Sequence, residues 1–162
     1  MRSIKIFSIL LLLCFGIVTV VEAQPAAVKK AANTTFTLTT FDSNGSILST
    51  SNGVFVSNDG IGVSTWKPFV GAMKAVVTDN DGQKYDVETM LGANELYDVA
   101  KFKVAAKTHA APFAPSVAAS STAWIVVPAK VGDPIKANIN KVEKFMTKYN
   151  YCVLSTTVPE KN

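Results

Sequence analysis

Residues 53–65, Gly53-Val54-Phe55-Val56-Ser57-Asn58-Asp59-Gly60-Ile61-Gly62-Val63-Ser64-Thr65, decide the fold. Residues 53–57 read as a compact apolar strand, Asn58-Asp59-Gly60 turns the chain sharply, and residues 61–65 pair back as the next strand. Asn and Asp hydrogen-bond to their own backbone in turns, and glycine reaches positive φ without steric cost. An antiparallel hairpin is the expected result.

The same grammar of short strands and strong turns extends both ways. Upstream, residues 34–41 are rich in Thr and Phe and alternate at Phe36 and Leu38, and Asp42-Ser43-Asn44-Gly45 turns them into residues 46–50. Downstream, residues 66–72 contain Pro68 and Gly71 and read as a loop or a single helical turn. Residues 74–78 and 83–91 form another hairpin around Asn80-Asp81-Gly82, and residues 99–104 complete a sixth strand. Six short antiparallel strands suit one small closed barrel.

The composition then shifts. From Ala105 to Thr122 the chain is rich in Ala, Ser and Pro, and Pro112 and Pro115 read as a linker passing over the surface. A second β segment follows, with a buried-type strand at 124–127, another at 135–142 and a third at 149–157; residues 141–148 are ambiguous and could form a short helical turn. Three strands are too few to bury a core alone. The expected organisation is a signal peptide at 1–23, a flexible N-terminal segment at 24–33, a first β-barrel at 34–105, a linker at 106–121 and the truncated start of a second barrel at 122–162.

The N-terminal assignment rests on a three-part layout: Arg2 and Lys5, an apolar run over residues 6–21, and a small residue at Ala23. A membrane anchor needs about 20 apolar residues, and this run is shorter and interrupted by Ser8 and Gly16. The chain is therefore expected to be exported, to the periplasm or beyond the cell, with its mature form starting at Gln24 and free of the membrane. A lipoprotein anchor at Cys14 is disfavoured because Leu13 precedes it where a small residue is needed. Cleavage leaves Cys152 as the single cysteine, so no internal disulfide is available and stability must come from a packed core.

The formal charge of +4 falls to +3 on cleavage, since Arg2, Lys5 and Glu22 leave the count. Neither Lys29-Lys30 nor the lysines from Lys141 to Lys148 make the basic stripe that nucleic-acid binding requires, and no nucleic-acid partner is expected. The only histidine, His109, lies in the linker, where it reads as solvated. One histidine and a distant Cys152 cannot assemble the usual zinc site, so no metal or other cofactor is expected. Cys152 sits in an apolar strand pattern, where a thiol is inert. No Gly-x-Ser-x-Gly elbow or phosphate-binding glycine loop occurs. Asp86 and Glu88 would share one strand face, an arrangement that usually marks a wet sheet surface.

Read in order, several of these segments resemble the opening barrel of the HtrA/Deg-type trypsin-like serine proteases. Residues 51–65 are similar to that family's S-G-x-G-F-x-x-S-x-D-G followed by a strand. Val70-Gly71-Ala72 sits where the family often has Glu-Gly-Ala, and residues 78–85 look like its hairpin ending in D-G-x-x-Y. Residues 94–104, Asn94-Glu95-Leu96-Tyr97-Asp98-Val99-Ala100-Lys101-Phe102-Lys103-Val104, are similar to D-x-x-x-D-L-A-V-L-K-V. More weakly, residues 123–128 resemble the entry to the second barrel. The resemblance covers most of residues 34–128.

It implies a trypsin-like first barrel whose triad aspartate is Asp98 and whose histidine position is Lys67, between Trp66 and Pro68. In the family the histidine takes the serine proton and the aspartate orients its ring. An ammonium group has no lone pair with which to accept that proton, although a buried lysine can be tuned into a base. The serine loop with its oxyanion hole belongs to the second barrel and does not occur in these residues. Asp98 is accordingly expected to hydrogen-bond locally at the start of its strand.

The expectation is thus an exported trypsin-like pseudo-protease segment, catalytically inactive as written, that binds or scaffolds a polypeptide. Two alternatives stay open at this point: the N-terminal half of a serine endopeptidase whose serine loop lies beyond this chain, and an unrelated small ligand-binding β-barrel. The oligomeric state has no signature in the sequence.

Overall fold

A computed structural model describes residues 25–114, 116–145 and 151–157. Residues 1–24, where the signal peptide is expected, Pro115, residues 146–150 and 158–162, and the side chains of residues 143–145 and 151–156, Cys152 among them, lie outside the described residues. The chain is all-β in its architecture, with strands β1 (Thr35–Phe41), β2 (Ile47–Phe55), β3 (Ile61–Ser64), β4 (Lys74–Asp79), β5 (Lys84–Asn94) and β6 (Val99–Val104) closing in the order β1-β2-β3-β6-β5-β4. Strands β7 (Thr122–Ile125), β8 (Ile135–Phe145) and β9 (Tyr151–Thr157) form a separate antiparallel sheet in sequence order.

Alternation creates the barrel core. On β1, Phe36, Leu38 and Thr40 are fully buried, and on β6 so are Ala100, Phe102 and Val104. Phe55 and Val77 complete the packing from β2 and β4. Three aromatic rings interlock, with Phe36 centred 4.6 Å from Phe55 and 5.8 Å from Phe102. Burying each large apolar side chain stabilises by about 1.5–3 kcal/mol, so this cluster carries most of the barrel's cohesion.

The turns close as their residues dictate. Asp42 Oδ1 accepts from the amides of Asn44 and Ser46, both at 2.9 Å, with Gly45 at φ 77°. Asp79 Oδ1 accepts from the Gln83 amide at 2.8 Å across the Asn80-Asp81-Gly82 turn. Residues 46–50 and 53–57, named as separate segments in the sequence reading, run largely as one strand, β2, so the seven named segments make up the six strands expected of the barrel. The Pro68 segment forms a 3-10 turn, Lys67–Phe69, whose Phe69 ring packs 5.6 Å from Phe102 and plugs one barrel end.

Three other expectations need correction. The segment 24–33, expected to be flexible, contains helix α1 (Ala26–Ala32), because Val28 finds a buried position and the hydroxyls of Thr34 and Thr35 bond the carbonyls of Ala31 and Ala32, each at 2.7 Å. The linker 106–121 runs over the surface, with no buried residue among those described, and is tied down there: Thr108, Ala110 and Ala111 are hydrogen-bonded to the end of β2 and the turn after it. Lys141–Phe145 belong to β8, with β9 as their ladder partner, while residues 146–148 of the ambiguous stretch are among those not described. In the smaller sheet, Ala137 and Ile139 are buried, whereas Trp124, expected inside, is half-buried.

Tyr85 packs against the core cluster from β5 and donates its hydroxyl to Asp79 Oδ2 at 3.3 Å. Burial first, and then the negative charge of Asp79, push its phenol above the usual tyrosine value. A raised pKa in the folded state means stability that is complete below the ordinary value and is lost as pH rises through the folded one. Tyr85→Phe is therefore expected to flatten the alkaline loss of stability above about pH 10, as denaturant titrations at stepped pH would reveal. An unchanged alkaline limb would place the titration elsewhere.

Candidate functional site

At the C-terminal end of β3 the chain leaves the barrel through Thr65 and Trp66 into the 3-10 turn. Asp98 stands beside it, in a turn closed by the Asp98 amide on the Glu95 carbonyl at 3.2 Å and by the Tyr97 amide on Asn94 Oδ1 at 3.1 Å. The β3–β6 pairing, from Ser64↔Ala100 to Ile61↔Lys103, brings the end of β3 and the start of β6 together. Asp98 Oδ1 then accepts from the amides of both Trp66, at 2.9 Å, and Lys67, at 2.8 Å.

Asp98 is thus bonded locally through its amide, as the sequence suggested, whereas its carboxylate is bonded across 31 and 32 residues to the turn that carries Lys67. Its backbone adopts φ 51°, a left-handed conformation that Asp and Asn tolerate better than most residues. The Lys67 side chain is exposed. Trp66 stacks on Phe69 at 6.3 Å with the rings 16° from parallel. The nearest hydroxyl along β3, that of Ser64, is buried and donates to the Asn52 carbonyl at 2.8 Å. The arrangement can fix a loop; its carboxylate oxygen Oδ1 is already shared by two amides.

The remaining candidates fall elsewhere. His109 lies at the opposite barrel end, since it follows β6 whereas Asp98 precedes it. Asp86 and Glu88 are both exposed while Tyr85 and Val87 turn inward, the wet strand face expected of them, and Asp86 forms an ion pair with Lys74 at 3.0 Å. Asp59 is held below the usual carboxylate range, first by the Ser57 hydroxyl and then by Lys103, which lies at 3.4 Å. No group of three or more potential metal ligands occurs among the described residues, and no helix among them is long and apolar enough to cross a membrane.

Two concave features had no signal in the sequence. β4 and β5 pair only from Val76–Thr78 to Lys84–Asp86 and then diverge. The gap is a groove of about 350 Å³ lined by Phe69, Ala75 and Val87 together with exposed Met73 and Met90. At the other barrel end a cleft of about 440 Å³ lies between α1 and the segment around His109. Both are products of long-range placement, which local patterns do not encode. No family model matches the chain, and no curated protein matches it.

Proposed function

We propose that this chain is a trypsin-like pseudo-protease segment, exported and catalytically inactive as written, that binds polypeptide. The observation that carries the reading is the Asp98 carboxylate, which accepts from the two backbone amides at Trp66 and Lys67, beside an exposed lysine in the place where the resembled family has its histidine. The closed six-strand barrel is the architecture that the resemblance implies. The groove between β4 and β5 supports the binding part, because exposed methionines such as Met73 and Met90 adapt to varied apolar side chains.

The test is a pair of assays on the purified chain. Incubation with fluorogenic peptides and labelled casein is expected to give no turnover above background, while reduced, unfolded polypeptide is expected to bind saturably in fluorescence anisotropy. Hydrolysis that Lys67→Ala abolishes would overturn the inactive assignment. Absence of saturable binding would overturn the polypeptide-binding role.

A further inference from the structure

The cleft beside α1 has the construction of a ligand site. Its volume of about 440 Å³ falls within the range of small-molecule pockets. Ala27, Ala31 and Pro112 give it an apolar wall, and its polar groups come from Lys30, Asn33, Thr34, Asn58 and His109. None of the residues lining it is acidic. The carboxylates of Asp79 and Asp81 line a separate, smaller cleft on the other side of His109, and Asp79 is occupied there by the Gln83 amide and the Tyr85 hydroxyl. Formal charge in the larger cleft is therefore cationic.

Its walls are held in place by the barrel rather than left to find a shape on binding. Thr108 donates its hydroxyl to the Ser57 carbonyl at 2.7 Å and its amide to the Asn58 carbonyl at 3.1 Å. The Ala111 amide bonds the Phe55 carbonyl at 2.8 Å. Asn58 Oδ1 accepts from the Ala110 amide at 2.9 Å, which orients the side chain and leaves its NH₂ end as the group with donors to offer. On the opposite wall, α1 is anchored by buried Val28 and by the two threonine hydroxyls at its C-terminal end. Walls fixed in advance lower the ordering cost of binding.

We infer that this cleft binds a carboxylate attached to a small apolar group, with the Lys30 ammonium and the Asn58 amide as its donors and the alanine and proline surfaces around its tail. That chemistry is shared by small carboxylic acids and by the C terminus of a polypeptide ending in a small apolar residue. The cleft lies at the β3 start and β6 end of the barrel, and the Asp98–Lys67 contact at the β3 end and β6 start. The inference therefore stands apart from the pseudo-protease reading, and either can fail without the other.

Calorimetric titration of the purified chain with three probes tests it: N-acetyl-alanine, N-acetyl-trialanine as the free acid, and the same tripeptide as its C-terminal amide. The free acids are expected to bind saturably. Loss of a charge-assisted hydrogen bond is expected to weaken the amide, and likewise the Lys30→Gln variant with the free acid, about tenfold. Ala27→Trp, at an exposed position, is expected to fill the cleft and abolish binding without lowering the unfolding midpoint. Tighter binding of the tripeptide acid than of N-acetyl-alanine identifies a polypeptide C terminus as the ligand, and equal binding a small acid. Equal affinity for acid and amide, no saturable binding of any probe, or an unchanged affinity in Lys30→Gln would overturn the inference.

Discussion

Replacing Phe36 with alanine is expected to lower the unfolding free energy by about 3–5 kcal/mol, measured by urea or thermal denaturation, because the vacated space lies where the barrel cannot collapse. Its ring is fully buried between Phe55 and Phe102. It also rests over two glycines. A Cβ added at Gly53 would stand 2.4 Å from ring carbons of Phe36, and one added at Gly62 would stand 3.0 Å from the rings of Phe36 and Phe102. These glycines are in the strands so that a large ring can be inside the barrel.

This geometry predicts coupling. Gly62→Ala alone overpacks the core, but next to Phe36→Leu the added methyl occupies part of the released volume. The double variant is expected to be more stable than the sum of the single effects by at least about 0.5 kcal/mol. Gly53 is not equivalent, since its added Cβ would also meet the Val63 carbonyl oxygen at 2.6 Å, and backbone does not yield as a ring edge does. Strict additivity for Phe36 and Gly62 would show that the ring does not lie over that glycine.

Asp98→Ala is expected to cost about 2–3 kcal/mol, because hydrogen bonds to a charged acceptor contribute more than neutral ones and two amides at Trp66 and Lys67 would lose their acceptor together. Part of that cost is conformational, since alanine at φ 51° lacks the tolerance of Asp. Three variants separate the terms. Asp98→Asn keeps an acceptor oxygen and the tolerated backbone and is expected to lose less than half as much. Asp98→Gly removes the acceptor but relaxes the backbone, so it is expected to lie between Asn and Ala. If Asn proved as costly as Ala, the role of Asp98 would rest on charge rather than on the paired amide bonds.

Much of the barrel was legible before any coordinates. Strand alternation at Phe36 and Leu38, and the turns at Asp42 to Gly45, Asn58 to Gly60 and Asn80 to Gly82, are local signals, and each sits where it was expected because turn geometry depends on a few neighbouring residues. The strand boundary inside β2 was less legible. Ser51 and Asn52 look like a break, yet they continue the ladder because β1 supplies partners at Leu38 and Thr37. Helix α1 was missed for a related reason: a run of alanines and lysines has little intrinsic amphipathic pattern, and its stability comes from Val28 and from Asn80, which donates its amide to the Ala32 carbonyl from a distant hairpin.

The site divides along the same line. The sequence by itself states that the one histidine, His109, lies in the linker, and the resemblance, carried over residue by residue, implies that Lys67 takes the family's histidine position. What Asp98 binds, how the 106–112 segment is laced to the turn after β2, and that Lys30 and His109 border one cleft were decided only when the barrel closed. Turn and strand preferences arise from sterics and hydrogen bonds within a few residues, which a sequence states directly. Clefts and shared carboxylates arise from surfaces brought together by burying Phe36, Phe55 and Phe102 in one core, and those distances exist only in the folded chain.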